Sequence, residues 1–246
     1  MKTINVYGIN PIESIIEKKP SLIKEIFIVE NCTNNRILKI ISKSRTLDIN
    51  HFFISKVEIE NKLKTTSHQG IFGSIFIEKY KSYKELNGFI KNSNINDVVL
   101  ILDCIQDPRN LGSCLRTANA ADVKAVIINK NNSAPINELV FKTSVGAILD
   151  LEIFIVPNLV NAIKLLKNNN YWVTGLDGNA KKSLYDISFN SATAVVLGSE
   201  GAGMKKITST NCDLIASIPI SPNIDSLNVS VATGIALFEI KRQKSL

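Results

Sequence analysis

Apolar and polar positions along the 246-residue chain follow two registers, short apolar runs of strand length and apolar residues at helical spacing. Near the start, Asn10-Pro11-Ile12-Glu13 sets a capping amide, a proline at the first helical position and an acid three residues after the cap. Ile12, Ile15 and Ile16 then share one helical face. Residues 25–29, 51–54 and 71–77 read as strands, and 35–44 as a helix with Ile37, Ile40 and Ile41 inward. Together they predict a small α/β unit over residues 1–77. Residues 78–96 are richer in Lys, Ser and Asn, contain Gly88, and read as a partly helical linker. Beyond them the strands are more continuously apolar, at 98–102, 125–128, 151–156, 171–175, 194–197 and 214–218. Such strands alternating with helices predict a parallel sheet covered on both faces, in a second α/β unit over residues 97–246.

Composition narrows the class. A net charge of +7 favours a polyanionic partner through phosphate neutralisation. Lys, Asn and Ile are abundant throughout, however, and that drift alone raises the charge, so charge leaves nucleic acid open. The four cysteines, Cys32, Cys104, Cys114 and Cys212, form no C-x-x-C pair, and only two histidines accompany them. This argues against a metal site and a disulfide framework and suits a reducing compartment. No stretch resembles a signal peptide, and none approaches the ~18 apolar residues of a membrane span. A cytoplasmic protein with neither metal nor membrane is the expectation.

Ligands of parallel sheets bind outside the carboxyl ends of the strands, and three segments there carry unusual chemistry. The first runs from Asp107 to Arg116, where Asn110 is placed to cap a helix with Leu111, Cys114, Leu115 and Ala118 inward and Arg116 on another face. The second is Gly198-Ser199-Glu200-Gly201-Ala202-Gly203, whose glycines permit a sharp turn or close approach to a ligand. Its spacing is not that of a dinucleotide fingerprint. The third is Ile218-Pro219-Ile220 followed by Asp225-Ser226-Leu227-Asn228-Val229-Ser230, with a helix starting near Ser226. Taken singly, each also reads as ordinary structure: a helix cap with a solvated arginine, a tight turn, and a second cap.

In order and spacing together, the three segments resemble the three motifs of the SpoU methyltransferases of the SPOUT superfamily. The stretch from Val6 to Pro11 and His68-Gln69-Gly70 look like that family's RNA-binding domain, so the resemblance covers nearly the whole chain. It implies a C-terminal domain tied in a trefoil knot, which periodicity does not show; strand pattern alone would give an open doubly wound sheet. It implies methyl transfer from S-adenosylmethionine to the ribose 2′-hydroxyl of a guanosine in 23S ribosomal RNA. A transfer RNA 2′-O-methyltransferase of the same fold and a non-catalytic RNA-binding homologue are the alternatives. The catalytic set it implies is Arg116, Asn110, Glu200, Ser226 and Asn228, with Gly198, Ile218 and Leu227 holding the donor. A guanidinium is protonated at any ordinary pH, so Arg116 is read as orienting and charge-stabilising rather than as the base.

The helix expected over residues 226–242 carries Val229, Val231, Ile235, Leu237, Phe238 and Ile240 around more than one face. Ser230, Thr233 and Gly234 form a small-residue face. Both features, with the family resemblance, predict a homodimer joined through the C-terminal domain.

Overall fold

The computed structural model describes residues 3–77, 79–91 and 94–244. Residues 78, 92 and 93 of the expected linker lie outside them. The elements begin with β1 (Thr3–Tyr7), α1 (Ile9–Lys18), β2 (Ile23–Val29), α2 (Asn35–Thr46), β3 (His51–Ile54), α3 (Lys56–Leu63) and β4 (Ile71–Phe76). They continue with α4 (Tyr83–Ile90), β5 (Val98–Asp103), α5 (Pro108–Ala120), β6 (Ala125–Asn129), α6 (Glu138–Ser144), β7 (Ile153–Val156) and α7 (Leu159–Lys167). The last are β8 (Trp172–Leu176), β9 (Thr193–Gly198), α8 (Lys206–Ser209), β10 (Leu214–Ala216) and α9 (Val229–Lys244). None of the described helices is long and apolar enough to cross a membrane.

Two compact units form: Met1–Lys79 with Ile136–Asp150, and Tyr80–Pro135 with Leu151–Leu246. In the first, the sheet order is β1-β4-β2-β3, with β4 antiparallel to both neighbours and β3 parallel to β2. The inward stripes Ile12, Ile15 and Ile16 of α1 and Ile37, Ile40 and Ile41 of α2 are buried with Ile26, Ile28, Ile71 and Ile75 of the sheet. Two details differ from the sequence reading. Helix α1 starts at Ile9 after Gly8, so Asn10 is no cap: its Oδ1 accepts from Arg36 Nη2 at 2.6 Å, while Gln69 Oε1 accepts from Ile9 N at 2.9 Å. Helix α3 was not anticipated, because of its apolar residues Ile59 is buried and Val57 exposed, too thin a stripe to register. Its start is set by the capping box of Ser55 and Glu58.

This unit also takes in α6 and a 3-10 turn at Ala147–Leu149, drawn from between β6 and β7. Lys18 pairs with Asp150, and Gly146 is wedged so tightly that a Cβ there would lie 2.2 Å from Ser14 Oγ.

The second unit is a fully parallel six-stranded sheet of order β10-β8-β9-β5-β6-β7. Its α/β architecture and parallel strands are those the apolar runs predict. Val99, Ile101, Ile127, Val173, Ala194 and Val196 are buried in one cluster with Leu86 and Ile90 of α4, so residues 83–90 contribute core here. β10 ends at Ala216, short of Ile218, because Ser217 turns to exchange backbone bonds with Lys182 and Leu184. α9 begins at Val229, three residues past Ser226. The order runs β5-β6-β7 one way and β9-β8-β10 the other, so the switch point lies at the carboxyl ends of β5 and β9.

Candidate active site

The first two chemistry-bearing segments leave the sheet at that switch point, and the third follows β10 at the sheet edge. β5 and β9 pair in register to Asp103 opposite Gly198, so the chain entering α5 and the glycine turn depart side by side. Asp103 is buried, and its Oδ2 accepts from Lys205 N at 3.0 Å, tying the end of β5 to the far side of the glycine turn. Ser199 and Gly203 exchange backbone bonds of 3.0 and 2.9 Å to close that turn, with Gly201 and Gly203 at φ of 83° and 67°. Left-handed backbone of this kind favours glycine. Gly198 is required for another reason: a Cβ there would meet the Gly203 carbonyl carbon at 2.0 Å.

One hydrogen-bonded chain joins the three segments. Asn110 Nδ2 donates to Glu200 Oε2 at 2.9 Å, and Asn228 Nδ2 donates to Asn110 Oδ1 at 3.0 Å. Asn228 Oδ1 in turn accepts from Ser230 N at 2.9 Å and Ser230 Oγ at 2.6 Å. The cap of α5 is therefore Asp107, whose Oδ1 accepts from Arg109 N, and Asn110 is free to bridge. Likewise Asn228, not Ser226, meets the first donors of α9. Ser226 is exposed and lines the adjoining cavity.

That cavity, about 230 Å³, is lined by Gly198 through Gly203, by Ile218, Ser226 and Leu227, and by Leu176 through Asn179 after β8. Gly198, Ile218, Leu227, Ser226 and Glu200 are thus brought together on its walls. Leu176, Asp177, Gly178 and Asn179 were not singled out from sequence. Their signal was available, a polar Asp-Gly-Asn run directly after an apolar strand at the ligand-binding end of the sheet. Apolar walls with the carboxylates of Asp177, Glu200 and Asp225 suit a ligand with a flat apolar part and positive charge.

Arg116 lies outside this network: it is exposed and makes no hydrogen bond or ion pair among the described residues. Seven residues from Arg109, it shares with it one solvent-facing side of α5. On the opposite side α5 packs on α9, where Cys114 Sγ lies 3.3 Å from Thr233 Oγ1 and Gly234 faces Thr117. The small-residue face of α9 therefore serves close packing within the unit. Burial pushes the Cys114 thiol up to about 11, against a smaller opposite effect of Thr233. At the end of β5, burial also raises the Cys104 thiol, more than the neighbouring Lys205 lowers it. Among the described residues no group of three His, Cys, Asp or Glu side chains could hold a metal ion.

Known proteins match both units. Residues 97–238 match the SpoU rRNA methylase family, and residues 5–81 match the RNA 2′-O ribose methyltransferase substrate-binding family. The chain is 35% identical over 240 residues to the 23S rRNA (guanosine-2′-O-)-methyltransferase RlmB of Haemophilus influenzae, covering 97% of each chain. It is equally similar to RlmB of Escherichia coli K12, 35% identical with 98% of each covered. Among solved structures, the SpoU methyltransferase AviRb from Streptomyces viridochromogenes in complex with AdoMet superposes with a TM-score of 0.81. It is 19% identical, with 99% of this chain and 91% of that one covered, and it shows the shared fold. From its matched motifs to its parallel sheet, this chain belongs to the SpoU rRNA methylase family.

Proposed function

We propose that the protein transfers a methyl group from S-adenosylmethionine to the ribose 2′-hydroxyl of a guanosine in 23S ribosomal RNA. The observation that carries this is the bridge Glu200–Asn110–Asn228, one residue from each motif, beside a cavity whose walls suit the donor. Relatives at 35% identity over nearly the whole chain bear that activity in their name. Ile218, Leu227 and Leu197 offer apolar walls to an adenine, and Asp177, Asp225 and Glu200 offer carboxylates to an ammonium and a sulfonium. When bound, the donor supplies an electrophilic methyl group.

The chain's own part is positioning and charge. Gly198 lets the strand end pass against Gly203 so that backbone, rather than a side chain, forms the wall. Asn110, clamped between Glu200 and Asn228, is fixed in one rotamer and presents a rigid polar edge to the ribose. Ser226 adds a hydroxyl on the cavity rim. Arg116, exposed and without a hydrogen bond or ion pair among the described residues, is available to a phosphate of the RNA and to the alkoxide that develops as the hydroxyl loses its proton to solvent.

The same reading assigns residues 1–77 to RNA selection and 97–246 to chemistry, with 78–96 between them. It takes the C-terminal domain as a trefoil knot, a reading supported by membership of the SpoU rRNA methylase family. It takes the working form as a cytoplasmic homodimer, supported by Val231 and Phe238 of α9, which remain 50% and 49% exposed.

Incubation with methyl-labelled donor and separate ribosomal and transfer RNA pools, followed by mapping of the product, tests the proposal. The expected outcome is label on a guanosine 2′-oxygen of 23S RNA, undiminished by chelator. Label in transfer RNA, or on a base, would replace it with a different activity.

A further inference from the structure

A second cleft, of about 410 Å³, lies wholly within the first unit and shares no residue with the donor cavity. Three separate segments line it: Tyr7 at the end of β1 with Asn10 in the first turn of α1, Ser67 and Gln69 from the turn before β4, and Lys142 and Val145 from the end of α6. Each is held there by left-handed backbone, Gly8 at φ 99°, Gln69 at 55° and Val145 at 52°. That conformation is unfavourable for a β-branched residue such as Val145, and strain of this kind collects where a binding surface is being shaped.

The polar groups of the cleft offer donors and positive charge. Gln69 Oε1 accepts from Ile9 N and Asn10 Oδ1 from Arg36, so the acceptor ends of both amides are engaged and their amide N–H groups have no partner among the described residues. Lys142 Nζ sits 4.5 Å from the centroid of the Tyr7 ring and donates one bond, of 3.3 Å, to the Ser67 carbonyl. The nearby carboxylate of Glu13 is paired with Arg36. A ring face, an ammonium and amide donors form a site for an anionic ligand with a flat group and several acceptors.

We propose that this cleft is a subsite for one nucleotide of the substrate RNA, the base on Tyr7 and the phosphate on Lys142. This rests on the RNA reading above and adds to it a place distinct from the methylated residue. A flexible lysine over a tyrosine ring can give up the ring to a base and turn its charge to a phosphate oxygen, a stronger partner. Because α6 comes from between β6 and β7 of the methyltransferase sequence, part of the RNA contact is then encoded outside residues 5–81.

Filter binding of a 23S rRNA transcript to the full-length protein, at a series of salt concentrations, tests the proposal with Tyr7→Ala, Tyr7→Phe and Lys142→Ala. Melting temperatures and S-adenosylmethionine affinity are measured alongside. Tyr7→Ala should weaken RNA binding roughly tenfold, as loss of a stacked base does, and Tyr7→Phe should restore most of it. Lys142→Ala should weaken binding and reduce the slope of log affinity against log salt by about 1, one phosphate's worth. Donor affinity should be unchanged in all three. Wild-type RNA affinity and salt slope in folded Tyr7→Ala and Lys142→Ala would overturn the subsite. So would a loss in Tyr7→Ala that Tyr7→Phe does not repair, or full competition by an equal concentration of free GMP. Binding, not methyl transfer, is read here, so a wild-type protein that methylates 23S RNA while the variants bind normally would sink the subsite and leave the activity standing. Variants that lose RNA affinity in a protein inactive as a methyltransferase would do the reverse.

Discussion

A methyl group at position 198 would lie 2.0 Å from one backbone carbon and 2.1 Å from a backbone nitrogen, and neither can give way without reopening the glycine turn. Gly198→Ala is expected to destabilise by ~1–3 kcal/mol, as overpacking does, and to abolish saturable donor binding. Thermal scans with and without S-adenosylmethionine check both. Arg116 is the opposite case. Exposed and making no hydrogen bond or ion pair among the described residues, it should be removable at little cost to the fold, yet Arg116→Ala should lower the single-turnover rate at least ~10²-fold. A near wild-type rate would discharge it from its role. Cys114 gives a pH signature. Its thiol is raised from 9.0 to about 11, so folding favours the neutral form; that contribution is full below pH 9 and declines as pH rises through about 11. Urea midpoints should therefore fall more steeply between pH 9 and 11 in the wild type than in Cys114→Ala. At this scale the sequence misassigned the local jobs of three residues. Asn10, Asn110 and Ser226 all read as caps because capping is a relation between neighbours in sequence. The partners that claim Asn10 and Asn110, Arg36 and Glu200, are 26 and 90 residues away.

At the scale of elements, what was legible followed apolar content. β5, β6 and β9 fall within a residue or two of their apolar runs, because a strand buried on both faces has to be apolar along its length. α3 and α8 went unread: each is short, with little buried apolar surface to mark it. α4 shows why a polar composition misleads. Residues 78–96 are rich in Lys, Ser and Asn, yet Leu86 and Ile90 are almost fully buried in the core of the second unit. Leu86→Ala in the full chain should lower stability by ~2–5 kcal/mol, read from denaturant midpoints. A truncation beginning at residue 94 would strip both side chains from that core, so separate study of the methyltransferase unit should start at Tyr80. The route of α6 into the first unit was not legible from periodicity. Hydrophobic patterning records which face of an element is covered, but not by which other element.

For the whole molecule, the question raised by α9 is what covers Val231 and Phe238. Seven residues apart, they share one side of the helix, while α5 already occupies the face of Thr233 and Gly234. The proposed homodimer should therefore depend on the first pair. Light scattering at micromolar protein should give twice the mass of the 246-residue chain, and Val231→Asp with Phe238→Asp should shift it to one copy. A wild-type monomer with full activity would defeat the dimer. A net charge of +7 adds that RNA affinity should fall steeply with salt. The way the chain is threaded has a consequence in time. A domain at the amino terminus ordinarily folds first, while the rest is still being made. Here the first unit lacks α6 and the turn at Ala147–Leu149 until residue 150 has been synthesised, some seventy residues after its sheet is complete. At ~5–20 residues per second, that leaves the first unit of a newborn molecule waiting several seconds or more for its last piece. During that interval the ground on which Ser14 and Gly146 will meet is open, so a nascent chain stalled before residue 136 should be cut by protease in its first unit more readily than one stalled after it has cleared the ribosome past residue 150.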